Sequence, residues 1–229
     1  MDIPENIARV QERIAAACRS AGRNPDGVRL VAVTKKVSPE RIRAAYAAGL
    51  RDLGENRLQE AKGKRPAVSD LAVTWHMIGH LQTNKAKAAC ELFHWVHSLD
   101  SWRLAEKLQH DAQDQKIELP VLLEVNLGEE ASKSGVRESE VPSLLEQLSP
   151  LTNLRVRGLM VIPPFLDDPE QVRPYFRRLR ELAESLTVAR IPNISLTELS
   201  MGMSHDFEVA IEEGATIIRV GTAIFGPRE

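Results

Sequence analysis

One strand-helix unit decides the fold of this chain, and it stands at residues 29–49: RLVAVTKKVSPERIRAAYAAG. Residues 30–34 are apolar or β-branched, as in a buried strand, and residues 39–48 form an amphipathic pattern that ends before Gly49. Short apolar runs that alternate with longer amphipathic stretches are typical of parallel strands joined by crossover helices. The unit is therefore expected to recur along the chain.

Strand segments of this kind occur eight times. We place them at residues 29–35, 51–54, 73–78, 95–98, 121–126, 156–161, 197–200 and 216–220. The clearest helical patterns between them lie at residues 39–48, 101–115, 138–148, 170–186 and 205–213. This alternation predicts an α/β fold, a closed (β/α)8 barrel of the TIM type, and an open doubly wound sheet is the alternative.

An extra helix is predicted ahead of the first strand, over residues 3–21. Apolar residues recur there at spacings of three and four, at Ile3, Ile7, Val10, Ile14 and Cys18. Such a helix would cover part of the barrel. We expect residues 1–229 to form a single domain, because no linker-like stretch or shift in composition divides them.

Composition excludes several classes of protein. The chain has 229 residues, 43% of them hydrophobic, which is enough for one substantial core. Its 30 basic and 32 acidic side chains leave a formal charge of -2, so no overall positive field favours nucleic acid as a partner. No apolar run approaches the roughly 20 residues that span a bilayer, so no membrane association is expected.

The two cysteines indicate a reducing compartment. Cys18 and Cys90 each have an alanine as a neighbour in a helix-like segment, and two cysteines do not make a disulfide framework. Charged residues interrupt residues 1–20, so no signal peptide is predicted there. The expected location is the cytoplasm.

Lys35 is the first candidate for chemistry, because it ends the first predicted strand. In a barrel, functional residues lie at the carboxyl ends of the strands. Partial burial there lowers the pKa of an amine and favours a nucleophile able to form a Schiff base, although a solvated loop lysine fits as well. Alternation along a strand places Lys36 on the opposite side, so only one of the pair faces the barrel interior.

Small residues and hydroxyls follow the last two strands. The segment SMGMS at residues 200–204 and the segment RVGT at residues 219–222 bring glycines, Ser200 and Thr222 to the position where barrels often hold a phosphate. A tight turn without a ligand is the alternative. Met201 either lines this site or packs in the core.

Arg219 needs an acceptor, since arginine is always charged. Glu198, Glu124 or the ring nitrogen of a bound heterocycle would each serve. An arginine opposite the pyridine nitrogen is one way in which proteins tune pyridoxal phosphate. A lysine, a phosphate site and this arginine together indicate that cofactor.

At this point the sequence resembles the pyridoxal phosphate homeostasis proteins, in the same order over nearly the whole chain. The segments that carry the resemblance are VAVTK at 31–35, GEN at 54–56, HMIGHLQTNK at 76–85, SKSG at 132–135, GLM at 158–160, LSMGMS at 199–204 and VGTAIFG at 220–226. His80 departs from the small or proline-like residue expected at its position, which leaves its role open.

The resemblance implies a single barrel similar to the barrel domain of alanine racemase, with pyridoxal 5'-phosphate held as an imine on Lys35. It also implies that Arg219 faces the pyridine nitrogen and that Asn56 lies beside the ring. Ser200, Gly221 and Thr222 would hold the phosphate. The cofactor-binding residues expected are therefore Lys35, Asn56, Ser200, Met201, Arg219, Gly221 and Thr222.

The expected function is storage, protection and delivery of pyridoxal phosphate without catalysis. Apo forms of pyridoxal phosphate enzymes are the expected recipients, and the expected oligomeric state is a monomer or a weak dimer. A weakly active amino-acid racemase is the main alternative, but racemisation needs two opposed acid-base groups. Seven residues follow Thr222, so we expect no additional domain to supply the second group. A Schiff-base aldolase would leave Arg219 without a ring nitrogen.

Two further residue groups have competing interpretations. Lys133 is either a loop lysine paired with Glu129 or Glu130, or a second amine that takes part in cofactor delivery. Four histidines lie in or near the third and fourth predicted strands, but their spacing fits no strong ligand pattern, so no metal site is predicted. They are His76, His80, His94 and His97.

Overall fold

Eight parallel strands close into a barrel in the computed structural model, which describes residues 2–128 and 134–227. The strands are β1 (Arg29–Val33), β2 (Asp52–Glu55), β3 (Thr74–Met77), β4 (Trp95–Leu99), β5 (Leu119–Asn126), β7 (Leu154–Met160), β8 (Ile194–Met203) and β9 (Ile217–Val220). A further short strand, β6 (Val136–Arg137), pairs with β5. Pairing of β1 with β9 and of β4 with β5 completes the ring. The predicted closed barrel is confirmed.

Helices surround the barrel. They are α1 (Ile3–Ser20), α2 (Pro39–Ala47), α3 (Leu58–Lys64), α4 (Ala86–Leu92), α5 (Trp102–Asp114), α6 (Val141–Leu148), α7 (Arg173–Thr187), α8 (Phe207–Glu212) and α9 (Thr222–Phe225). Gly49 follows α2 at φ +98° and Gly214 follows α8 at φ +105°, so both occupy the left-handed region that ends many helices. Within the described residues, no helix is both long and apolar enough to cross a bilayer.

Helix boundaries differ from the prediction where a proline sits in the first turn. Residues 138–140 and 169–172 form 3-10 turns, and α6 and α7 begin after them, with prolines within their first two positions. The helices α3 and α4 have seven residues each, and the sequence analysis gave no range for either, although it placed Cys90 of α4 in a helix-like segment. They are too short to show a clear amphipathic period in the sequence.

The N-terminal helix α1 packs where it was expected, against the barrel's outer helices. Its buried Asn6 donates a hydrogen bond of 2.8 Å from Nδ2 to the carbonyl oxygen of Ile224 in α9. Arg13 lies 4.5 Å from the ring centre of Phe207 in α8. Its start is capped by the Asp2 carboxylate, which accepts from the Glu5 amide. Helix α1 therefore covers the strands β8 and β9 through α8 and α9.

Two apolar layers make up the core. The larger one fills the space between the strands and the helices. A smaller one lies inside the barrel and contains Val31, Leu122, Met160 and Ile217, with Trp95 packed against it. Because side chains alternate along a strand, every second residue of β1, counted from Val31, faces the barrel interior. This orientation determines which polar residues reach the site.

Candidate cofactor-binding site

Lys35 lies directly beyond the end of β1, partly buried, on the wall of a cavity of about 590 Å³. Lys35 comes four residues after Val31, which belongs to the core inside the barrel, so strand alternation directs both side chains to the same face. Gly221 and Thr222 line the same cavity, as the sequence analysis expected. The end of the first strand and the end of the last strand therefore meet at one site.

The cavity is positively charged. Lys35, Lys36 and Arg41 line it, and the described residues that line it include no acid. Thr222 is exposed there and offers a hydroxyl, while Gly221 precedes the short helix α9. Cations, a hydroxyl and a glycine backbone are the donors that suit a phosphate dianion.

Lys36 lines the same cavity as Lys35. Its φ is +60°, an uncommon value for a residue with a side chain, and its side chain is exposed. Its backbone amide donates a hydrogen bond of 2.7 Å to Oε2 of Glu60. The turn after β1 is thus held by an acidic side chain from α3.

An ion cluster, formed by the buried Glu55 and the partly buried Glu60 and Lys64, holds the other side of the same turn. Nζ of Lys64 donates to the carbonyl oxygen of Thr34 at 2.7 Å, to Glu55 at 2.8 Å and to Glu60 at 2.9 Å. The Thr34 hydroxyl also donates to Glu55, at 2.7 Å. Together these bonds fix the backbone on both sides of Lys35.

The two carboxyl groups of this ion cluster titrate differently. Burial raises the pKa of Glu55, and the hydrogen bonds from Lys64 and Thr34 only partly offset that effect. Burial also acts on Glu60, but the bonds from Lys64 and from the Lys36 amide hold the pKa of Glu60 below its usual value. Glu60 is therefore the carboxyl group with the lower pKa of the two.

Arg219 is 3% exposed and faces the barrel interior. Its Nη1 donates to Oγ of Ser200 at 2.5 Å, and its Nη2 donates to the carbonyl oxygen of Val161 at 2.8 Å. Burial lowers the pKa of Arg219 to about 10, against the opposing effects of Glu124 and Asp206. The guanidinium therefore stays charged at neutral pH.

Ser200 is fully buried between Arg219 and His97, whose Nδ1 lies 2.9 Å from the serine oxygen. The structure thus places it inside the barrel and not beside Gly221 and Thr222. The hydroxyl beside Gly221 belongs to Ser204, which accepts from the amides of Gly221 at 3.1 Å and Ala223 at 3.4 Å. The sequence analysis missed Ser204, although it is the second serine of the SMGMS segment.

Met201 and Asn56 are placed apart from the Lys35 cavity. Met201 is fully buried in the large core between strands and helices. Asn56 follows β2, is partly buried, and lines a neighbouring cavity of about 500 Å³ that also contacts His80. A Cβ at Gly79 would lie 2.5 Å from the carbonyl oxygen of Asn56, so only glycine permits this close approach.

The four histidines have separate surroundings. His80 is exposed and lies 3.3 Å from Asp100, while His94 accepts a hydrogen bond from the Trp75 amide at 2.8 Å. His76 and His97 are fully buried inside the barrel. Lys133, the expected second amine, lies outside the described residues.

Comparison with known proteins adds to this geometry. A protein of Aquifex aeolicus named pyridoxal phosphate homeostasis protein is 50% identical over 229 residues, with all of both chains covered. A protein of the same name from Pseudomonas aeruginosa is 47% identical over 227 residues, which cover 99% of this chain and 96% of the relative. This chain belongs to the pyridoxal phosphate homeostasis protein family. The resemblance inferred from the sequence is confirmed.

The fold of this family member also agrees with the comparisons. The family model of the alanine racemase N-terminal domain matches residues 6–229. The structure of PipY from Synechococcus elongatus, solved with pyridoxal phosphate bound, superimposes with a TM-score of 0.84 at 44% identity. The match covers 95% of this chain and 100% of PipY.

Proposed function

We propose that this chain binds pyridoxal 5'-phosphate covalently at Lys35 and serves its storage, protection and delivery. The observation that carries the proposal is the position of the Lys35 amine on a cationic cavity shared with Gly221 and Thr222. Pyridoxal phosphate supplies an aldehyde that condenses with an amine, with loss of water, and a phosphate dianion. Two relatives named pyridoxal phosphate homeostasis protein, and the PipY structure with pyridoxal phosphate bound, support the same function.

The residues at the end of β9 would hold the phosphate. Thr222 offers its hydroxyl and Gly221 permits close backbone approach, while Arg41 and Lys36 contribute positive charge. Ser204 would support the phosphate site indirectly, because its hydroxyl oxygen accepts a hydrogen bond from the Gly221 amide and so holds that turn in place. We therefore assign Ser204 to the phosphate site in place of Ser200.

Arg219 would face the ring nitrogen from the barrel interior. A charged guanidinium donates hydrogen bonds and accepts none, so it favours an unprotonated pyridine nitrogen. An unprotonated ring withdraws electrons weakly, which disfavours the carbanion chemistry that racemases require. This property fits a carrier better than an amino-acid racemase. Asn56 is proposed to lie beside the ring, and Met201 to support the site from the core.

Delivery to apo pyridoxal phosphate enzymes is the second part of the proposal. Lys35 is only partly buried, so a bound aldehyde would remain accessible to a transferring amine. Exchange between two amines avoids the release of a reactive aldehyde into solution. An apoenzyme that uses this cofactor is accordingly the expected recipient.

The test is a transfer assay with two readouts. The loaded chain should show a near-visible absorbance band and restore activity to an apoenzyme more effectively than an equal amount of free pyridoxal phosphate with a scavenging aldehyde trap present. It should racemise alanine no faster than the free cofactor does. Robust racemisation by the purified chain would instead establish the racemase alternative, and absence of the band would refute cofactor binding.

A further inference from the structure

A continuous line of hydrogen-bonding side chains crosses the barrel interior and ends at Arg219. We call it the interior relay, and its members are Asp52, His76, His97, Ser200 and Arg219. Nε2 of His76 lies 2.9 Å from Oδ1 of Asp52, and Nδ1 of His76 lies 3.0 Å from Nε2 of His97. Nδ1 of His97 lies 2.9 Å from Oγ of Ser200, which accepts from Arg219 at 2.5 Å.

The interior relay connects a partly exposed residue, Asp52, to the buried Arg219. The side chain of Asp52 is 22% exposed at the start of β2, where Nε of Arg29 lies 4.0 Å away. The side chains of His76, His97 and Ser200 are fully buried. Trp95 contacts both imidazoles, with ring centres 6.0 Å from His76 and 6.2 Å from His97.

The chemistry of the two ends fixes the direction of every bond. Arg219 only donates, so the Ser200 oxygen must accept from it and turn its own hydrogen toward His97. Nδ1 of His97 is then an acceptor, which leaves the hydrogen of this neutral ring on Nε2. That hydrogen is donated to Nδ1 of His76. The remaining His76 hydrogen, on Nε2, goes to the Asp52 carboxylate, which only accepts when ionised.

Both imidazoles are in surroundings that favour the neutral form. Burial lowers the pKa of His97 well below its usual value, and the charges of His76, Arg219 and Arg29 act in the same direction. Burial also lowers the pKa of His76, with Asp52 opposing and Arg29 assisting. When both imidazoles are neutral and carry their hydrogen on Nε2, every hydrogen bond of the interior relay has one donor and one acceptor.

We propose that the interior relay is a positioning device for Arg219. Asp52, His76 and His97 keep the hydrogen of the Ser200 hydroxyl turned away from Arg219. The serine lone pair then orients the guanidinium toward the cofactor ring. This inference rests on the proposed function, and it makes Asp52 a residue that acts on the site from the opposite end of the barrel.

The first test needs no cofactor. Nitrogen-15 NMR of the histidine-labelled chain at pH 7 reports which ring nitrogen carries hydrogen. The expected result is the Nε2-protonated neutral form for both His76 and His97. A hydrogen on Nδ1 of either ring, or a doubly protonated ring, would overturn the proposal even if pyridoxal phosphate binds normally. A chain with the expected tautomers that fails to bind the cofactor would refute the proposed function alone.

The second test compares two substitutions at Asp52. Asp52→Leu removes the terminal acceptor, and we expect mixed tautomers at His76 and His97 with about fivefold weaker pyridoxal phosphate binding, the effect of losing one hydrogen bond of average strength. Asp52→Asn should restore both readouts, because its amide oxygen accepts the same bond. Wild-type tautomers and affinity in Asp52→Leu would show that the line is not a positioning device. His110→Gln alters an exposed histidine of α5, outside the interior relay and outside the cavities that Lys35 and Asn56 line, so this control should leave both readouts unchanged.

Discussion

Lys64 donates a hydrogen bond of 2.7 Å to the carbonyl oxygen of Thr34, the residue directly before Lys35. On the other side of Lys35, the Lys36 amide donates to Glu60, which also binds Lys64. One lysine on α3 therefore links both flanks of the turn that carries the candidate nucleophile. The proposed covalent chemistry depends on a backbone position that α3 fixes.

Substitution of Lys64 by Met is predicted to destabilise the fold by about 2–4 kcal/mol, because it leaves Glu55 buried without its cation. The figure lies below that for a fully buried pair, since 12% of the Lys64 side chain is exposed. Urea unfolding measures the change. Lys62→Met alters an exposed lysine of the same helix and is the control, with an expected effect within about 0.5 kcal/mol. Equal effects of the two substitutions would contradict the role of the ion cluster.

The stability loss in Lys64→Met is predicted to grow with pH. The folded-state pKa of Glu55 already lies above its usual value of 4.5, so the stability that its protonated form contributes is lost as pH rises through the folded pKa. Removing Lys64 also removes an effect that lowers this pKa. The Glu55 carboxyl group of the variant then binds its proton more tightly in the folded state, so the stability deficit relative to wild type should increase as pH rises above 4.5. Unfolding curves at several pH values check this, and a deficit that shrinks with pH would refute it.

Ser204 and Ser200 are predicted to have separable roles. Ser204→Ala loosens the turn at Gly221, so it should weaken binding of pyridoxal phosphate while leaving binding of pyridoxal, which lacks the phosphate, nearly unchanged. Ser200→Ala leaves a buried donor on Arg219 and a buried imidazole nitrogen on His97 unpaired, at a cost of about 2–5 kcal/mol of stability. Parallel affinity and unfolding measurements on both variants decide the matter. The assignment fails if Ser200→Ala selectively loses phosphate recognition.

The boundary of one strand explains why sequence analysis chose the other serine. The predicted strand ended at residue 200, which put Ser200 at the barrel mouth, whereas β8 continues to Met203. That extension draws Ser200 into the interior and brings Ser204 to the mouth. Strand ends are weakly marked in sequence, because glycine and small residues interrupt the apolar pattern there.

The fold and the position of Lys35 were accessible from local patterns. Strand-helix alternation predicted the barrel, and alternation of side chains along β1 indicated that only one of Lys35 and Lys36 faces the interior. The contacts of His76 and His97 were not accessible in this way. These contacts bring together side chains from β2, β3, β4, β8 and β9, which become neighbours only when the barrel closes. The spacing of these residues along the sequence therefore does not predict the contacts.

Lys133→Ala is predicted to bind pyridoxal phosphate with an unchanged near-visible band and to transfer it more slowly to an apoenzyme. The reason is that a second amine able to react with the cofactor would capture it as it leaves Lys35. Stopped-flow transfer at matched cofactor occupancy measures the rate. An unchanged rate would leave Lys133 as a loop lysine without a part in delivery.

Covalent attachment at Lys35 is the central claim, and borohydride reduction of the loaded chain followed by peptide mass spectrometry tests it most directly. Reduction should place a single stable pyridoxyl phosphate adduct on Lys35, and Lys35→Ala should remove both the adduct and the near-visible band while keeping the fold. Lys36→Ala should retain both, because strand alternation directs Lys35, and not the exposed Lys36, to the same face as Val31. An adduct on Lys36 in the wild type, or a fully occupied adduct that persists in Lys35→Ala, would contradict the account.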